Sequence, residues 1–171
     1  GGTVLTNGTL LANGTLWNAQ VNGGGITTGA AGSVNSLRIT TTAASQSLGL
    51  FASGVLRLTT GGLLFAGTND YSITGGTLAS ATATASDLIV QQYGTGALTI
   101  SSVIANGTGA STLTKAGPGK LVLSGVNTYT GANFLNGGSL EVSADNALGS
   151  GGVLNFYGGT LSIVGASAFN S

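Results

Sequence analysis

The sequence contains no cysteine and no histidine. Without cysteine the chain has no disulfide, no thiol nucleophile and no thiolate metal site. Without histidine it lacks the commonest general base and the usual transition-metal ligand. A nucleophilic triad built on serine and histidine is therefore excluded.

The chain also has very little charge, with four Lys or Arg and four Asp or Glu among 171 residues. An ordinary soluble domain is about one quarter charged. Affinity for nucleic acid comes from clustered Lys and Arg side chains. The basic residues of this chain are scattered, at Arg38, Arg57, Lys115 and Lys120. We therefore expect no nucleic-acid partner. No apolar run approaches the roughly 18 to 20 residues of a membrane-spanning helix, so we expect no membrane insertion.

What the chain does have is 32 glycines and many short apolar segments. Asn-Gly and Gly-Gly steps separate these segments, and they mark sharp turns because glycine adopts a positive φ at little cost. Helix signals are almost absent, since Gly and Thr recur too often for stable helix interiors. A single helical turn is predicted only at residues 144–149.

One short phrase recurs along the chain: glycine, then Thr or Ser, then Leu, at residues 13–16, 75–78, 137–140 and 158–161. Asn-Gly turns are also typical of hairpins, and an antiparallel sandwich is the alternative. The near-regular spacing instead favours stacked coils of a parallel β-solenoid. We predict one all-β domain over residues 1–171 with about seven or eight coils and little or no helix. At ~4.8 Å per coil the rod is roughly 35 to 40 Å long.

The clearest match to a known family lies within residues 88–142. Leu113-Thr-Lys-Ala-Gly-Pro-Gly-Lys-Leu-Val-Leu and Asn136-Gly-Gly-Ser-Leu-Glu-Val closely resemble the autotransporter-associated β-strand repeat of large bacterial surface proteins. Pro118 stands where that family usually has Ala or Ser, and residues 132–135 depart from its usual Gly-Thr-Thr-Val. The resemblance implies a right-handed parallel β-helix in a passenger region displayed outside the cell, at the bacterial surface. Residues 1–33 have the least regular period.

The few acids leave little room for an active site. Hydrolysis of glycosidic bonds by paired carboxylates needs two of them within about 5 to 10 Å, so an enzyme would have to bring charged residues together in a groove. The chain also lacks the Gly-Gly-x-Gly-x-Asp nonapeptide of calcium-binding β-rolls. We expect no catalytic residue, no metal and no cofactor. The residues whose convergence would overturn this are Asp70, Asp87, Glu141, Asp145, Lys115 and Lys120.

An exposed aromatic patch is the predicted binding feature. Phe156 and Tyr157 are adjacent and must point to opposite faces of a strand, so one of them faces outward. We predict that Tyr157 and Tyr129 form this patch, and cell-surface polysaccharide is the partner that it suggests.

Neither end of the chain carries an amphipathic helix or a charge cluster to block an open strand edge. Uncapped edges predict either further repeats of a longer chain or copies of this chain joined end to end. The favoured hypothesis is a noncatalytic extracellular structural protein, a subunit or segment of a surface fibre or filament. The alternative is a β-helix passenger domain that acts as an adhesin or binds polysaccharide. Cleavage of polysaccharide is the less favoured form of this alternative. The residues assigned to the assembly ends are Gly2, Thr3, Val4, Leu5, Ala168 and Phe169.

Overall fold

The computed structural model describes residues 3–5, 8–10, 18–23, 26–28, 31–80 and 85–165. They form sixteen strands in one sheet and a 3₁₀ helix at Asp145–Leu148. No helix in these ranges is long and apolar enough to cross a membrane. The strands are β1 Thr3–Leu5, β2 Gly8–Leu10, β3 Asn18–Asn22, β4 Ile26–Thr28, β5 Ala31–Thr40, β6 Gln46–Phe65, β7 Tyr71–Ala79, β8 Ala85–Gln92, β9 Leu98–Ile100, β10 Val103–Ala105, β11 Ala110–Ala116, β12 Lys120–Leu123, β13 Asn133–Leu135, β14 Ser139–Val142, β15 Leu154–Phe156 and β16 Thr160–Ile163.

The strands stack in parallel columns. The first column runs β1-β3-β5-β6-β8-β11-β13-β15, and the second runs β2-β4-β6-β7-β9-β12-β14-β16. A shorter third column joins β5, β6, β7 and β10. Every pairing among the described strands is parallel and joins equivalent strands of successive coils, so none of them is a hairpin. This confirms the predicted all-β parallel solenoid and rules out the antiparallel sandwich.

From residue 37 to residue 156 the structure makes five turns, and the pairing of β1 with β3 and of β3 with β5 adds two more on the N-terminal side. The first three coils of this stretch run from Leu37 to Leu63, to Val90 and to Lys115, and they take 26, 27 and 25 residues. The prediction assumed a coil of about 20 residues. β1 to β4 extend the same columns, although much of residues 1–33 lies outside the described residues. The turns are counted between the register partners Leu37, Leu63, Val90, Lys115, Leu135 and Phe156.

The core is a set of aliphatic stacks inside the coil. Ile73, Ile100, Leu123 and Val142 occupy one register row of the second column, and all are buried. Their chain neighbours point outward because successive strand residues face opposite sides. The interior is therefore made of alternate residues from every coil.

The turn that connects the first column to the second becomes shorter along the rod. The strand bounds leave five residues in each of the turns 41–45, 66–70 and 93–97, but three in each of 117–119, 136–138 and 157–159. The short turns depend on glycine. Gly117 has φ +81°, and a Cβ there would lie 2.4 Å from the carbonyl oxygen of Gln92 in the coil below.

One charged residue lies in the core. Lys115 occupies an inward position between Val90 and Leu135 and is 1% exposed. Its Nζ donates to the carbonyl oxygens of Ala116, Gly117 and Gly137 at 3.0, 2.8 and 3.0 Å. The ammonium group therefore links the turn of its own coil to the turn of the next one. Burial lowers the pKa of Lys115 to about 8.

This buried lysine makes stability depend on pH. In the unfolded chain its pKa returns to the ordinary 10.5, so between pH 8 and 10.5 the unfolded state binds more protons than the folded state. The free energy of unfolding should therefore rise with pH in this window, by roughly 1 to 3 kcal/mol in full. Below pH 8 the lysine is charged in both states and contributes no slope.

Urea unfolding at steps between pH 7.5 and 9.5 measures this rise. The window stops there because burial raises the pKa of Tyr71 and Tyr129 well above the ordinary value of 10, which lowers stability at higher pH. Lys115→Met should remove the rise, and Lys120→Met, at an exposed lysine of the same repeat, should retain it. The same slope in both variants would contradict this assignment.

Candidate binding surfaces

Two of the candidate carboxylates accept hydrogen bonds from the next coil. Asp70 Oδ1 accepts from the backbone N–H of Ala97 at 2.8 Å. Asp87 Oδ1 and Oδ2 each accept from a threonine hydroxyl of the next coil, Thr112 and Thr114, both at 2.8 Å. Both oxygens of Asp87 are thus used within the fold.

The other two acids lie near the C-terminal coils. Glu141 Oε2 is 2.7 Å from Nζ of Lys120, and both side chains are partly exposed. Asp145 lies in the first turn of the 3₁₀ helix. Lys120 and Glu141, two of the six charged residues singled out above, therefore converge. They form a surface ion pair, which adds about 0 to 1 kcal/mol to the free energy of unfolding. Among the described residues no three His, Cys, Asp or Glu side chains could hold a metal ion.

The prediction that Tyr129 is exposed is wrong, because this side chain is fully buried. Its hydroxyl donates to Oδ1 of the buried Asn133. The inward and outward alternation of β12 continues beyond the last paired residue, so that Leu123, Asn127 and Tyr129 all point inward and Val126 points outward. Counting every second residue from Leu123 would have placed Tyr129 inside.

Tyr157 is 74% exposed, in agreement with its predicted outward position. Its ring stacks on Phe134 of the preceding coil, with centroids 6.3 Å apart and planes inclined by 16°. Phe134 points outward because its neighbours Asn133 and Leu135 are buried. The aromatic patch therefore consists of Tyr157 and Phe134, and its role in binding stays a prediction.

The predicted assembly ends lie mostly outside the described residues. Thr3, Val4 and Leu5 form β1, which pairs with β3, whereas Gly2, Ala168 and Phe169 are not described. At the last described coil, β15 and β16 each pair with one neighbour. Phe156 and Ile163 continue the inward rows of the two columns but are 54% and 53% exposed. This coil presents the apolar interior of the rod, and self-assembly through it stays a prediction.

A polar groove of about 650 Å³ lies on the outer face of the second column, where the corner turns are long. Its floor is formed by outward residues of β6 and β7, and its walls by the turns 41–45 and 66–70. Asp70 is the one charged residue that lines it. We call it the hydroxyl groove, and its lining is Ala44, Ser45, Gln46, Ser47, Thr68, Asn69, Asp70, Ser72 and Thr74.

Residues 113–142 match a family described as the passenger-associated-transport-repeat. Among curated proteins, the adhesin BmaC autotransporter of Brucella suis biovar 1 (strain 1330) is 42% identical over 96 residues. The aligned stretch covers 55% of this chain and 3% of that protein. No solved structure matches the chain.

These matches confirm the resemblance inferred from the sequence. The chain carries an autotransporter passenger repeat and is a secreted protein exposed at the cell surface. The matched repeat comprises β11 to β14, including buried Lys115 and two of the short glycine turns. The hydroxyl groove and Tyr157 lie outside residues 113–142, so the repeat match assigns no role to either.

The two tyrosines first assigned to one patch should respond differently to removal of the hydroxyl. Tyr129→Phe leaves Oδ1 of buried Asn133 without its donor, so we expect the free energy of unfolding to fall by about 1 to 3 kcal/mol. Tyr157→Phe alters an exposed position and should stay within about 0.5 kcal/mol of the parent chain. Urea unfolding of the matched pair measures both, and equal losses would argue against the burial of Tyr129.

Proposed function

We propose that this chain is a noncatalytic segment of a cell-surface adhesin, in which a rigid solenoid carries binding surface on its outer faces. The observation that carries the proposal is the pair of parallel columns running from Leu37 to Phe156, within which residues 113–142 match a passenger repeat. The similarity to an autotransporter adhesin supports the same function.

Hydrogen bonds between coils stiffen the rod. Asn127 Oδ1 accepts from the N–H of Ile104 at 2.8 Å, and its Nδ2 donates to the carbonyl oxygen of Ala147 at 2.6 Å. One buried side chain thus ties three successive coils where the third column has no further strand. A stack held in this way keeps its outer faces in fixed positions, as a surface that presents binding sites requires.

The chemistry of the outer faces favours binding over catalysis. Three of the four acids already accept from or pair with neighbouring groups of the fold, and Asp70 is the one acid in the hydroxyl groove. General acid–base catalysis of glycosidic hydrolysis needs a second carboxyl across the bound sugar. The groove instead offers hydroxyl and amide groups, which recognise polar ligands by hydrogen bonding.

Adhesion can be tested with the purified chain coupled to beads. We expect the beads to bind saturably to cultured epithelial monolayers, and soluble folded chain to compete with them. Beads carrying the heat-unfolded chain are the control for the need of an intact solenoid. Beads that bind no better than those coated with an unrelated uncharged protein would overturn the proposal.

A second candidate function is that of a fibre segment, favoured by the half-exposed interior of the last described coil. Phe156 and Ile163 there could be covered by further repeats of a longer chain or by another copy of this chain. Electron microscopy of the purified chain distinguishes these partners. Filaments with an axial repeat near one rod length support assembly of copies end to end, and dispersed rods argue against it.

A further inference from the structure

We propose that the hydroxyl groove is a binding site for an uncharged saccharide. The inference rests on the proposed adhesin function and names the chemical class of ligand and the residues that bind it. Three observations lead to it: a floor of unpaired hydroxyls, walls held in place by hydrogen bonds, and a lining with one negative charge and no positive one.

The floor consists of Ser47 on β6 and Ser72 and Thr74 on β7. Ser47 and Ser72 are register partners, so their Cα atoms lie about 5 Å apart across the sheet. Thr74 lies two residues further along its strand, on the same face. The hydroxyls of these three residues make no hydrogen bond to any residue that the structure describes. A small array of donors and acceptors therefore faces the groove.

Two other clusters of hydroxyls on this solenoid are paired within the fold. The hydroxyl groups of Ser80, Ser86 and Ser111 bond to one another at 2.6 to 3.2 Å. Those of Thr112 and Thr114 donate to Asp87. In both clusters the fold itself uses the hydroxyls, whereas those of the groove floor are left for a ligand or for water.

The first wall is the turn 41–45, which the side chain of Gln46 holds. Oε1 of Gln46 accepts from the N–H groups of Thr42 and Ala43 at 2.9 and 3.3 Å, and its Nε2 donates to Oγ1 of Thr42 at 3.0 Å. Ser45 in this turn has φ +60° and is the one non-glycine residue with a positive φ in the described part of the chain. Such a conformation persists only where the surroundings fix it.

The second wall is the turn 66–70, which is fixed on both sides. The N–H of Asn69 donates to Oγ1 of Thr41 in the coil below at 3.1 Å. Asp70 Oδ1 accepts from Ala97 in the coil above at 2.8 Å. Both walls are therefore positioned before a ligand arrives, which lowers the ordering cost of binding.

The lining selects the class of ligand. Serine, threonine, asparagine and glutamine match the hydroxyls of a sugar as both donors and acceptors. Asp70 brings one negative charge and the lining has no Lys or Arg, so an acidic polysaccharide would meet repulsion without a compensating cation. No aromatic ring lines the groove, and recognition must depend on hydrogen bonds. An uncharged saccharide fits these conditions best.

The test uses the whole chain on a printed array of oligosaccharides ending in mannose, glucose, galactose or N-acetylhexosamine, with sialylated and sulfated glycans beside them. We expect saturable binding to at least one uncharged glycan. The triple variant Ser47→Ala, Ser72→Ala, Thr74→Val should weaken that binding at least about tenfold, since each lost hydrogen bond changes affinity by a factor of about 2 to 10.

A matched control removes three hydroxyls from the same column in the last coils, by Ser139→Ala, Thr160→Val and Ser162→Ala, and it should bind like the parent chain. Equal thermal unfolding midpoints show that the groove variant is folded. Binding only to acidic glycans, or to none on the array, overturns the groove proposal, as does undiminished binding by the groove variant.

The bead assay separates this proposal from the adhesin function on which it rests. If the groove variant keeps both its adhesion to cells and its glycan binding, the groove proposal fails while the adhesin function stands. If parent beads do not adhere but the glycan binding is present and lost in the groove variant, the adhesin function fails and the saccharide site remains. Loss of both activities in the groove variant alone supports both.

Discussion

The parallel hydrogen-bonded register between successive coils is the constraint on which the rest of this structure depends. Once a residue pairs with its equivalent one coil away, its side chain must point to the same side, inward or outward, as that partner. Several polar residues on inward positions find partners among the backbone groups of adjacent coils. Lys115, Asn127 and Asn133 do so, each donating to carbonyl oxygens of a neighbouring turn or coil. These three side chains therefore join neighbouring coils together.

This constraint explains how far the sequence predicts the fold. The recurring phrase of glycine, a hydroxyl residue and leucine predicts stacked coils, and its copies at residues 137–140 and 158–161 do stack, since Leu140 and Leu161 are register partners. The period of about 20 residues does not hold between residues 37 and 115, where the turns and strands are longer. Tyr129 lies inside, contrary to the prediction, because inward and outward alternation does not end with the strand. It continues wherever adjacent coils hold the backbone extended.

The hydroxyl groove could not be predicted from the sequence in the same way. Its two walls are about 25 residues apart in the chain, and they meet only because the N–H of Asn69 contacts Thr41 across one coil. Nothing in Ala44-Ser-Gln-Ser or Thr68-Asn-Asp distinguishes a binding wall from an ordinary polar turn. The aromatic pair is similar, since Phe134 and Tyr157 meet through the register of β13 and β15. Such sites require the register of neighbouring coils to be known first.

The rod has short, tightly packed corners in its C-terminal coils and longer corners in its earlier coils. The C-terminal coils have three-residue corners whose glycines lie against backbone atoms of the adjacent coil, so a side chain there would disrupt the stack. The earlier coils have five-residue corners, and lengthening a turn by two residues costs little in loop-closure entropy. Corners can therefore vary in length without breaking the ladders beside them. A solenoid built in this way gains a polar groove where its turns lengthen and keeps its stiffness where they are short, so binding specificity can change while the column that carries it stays the same.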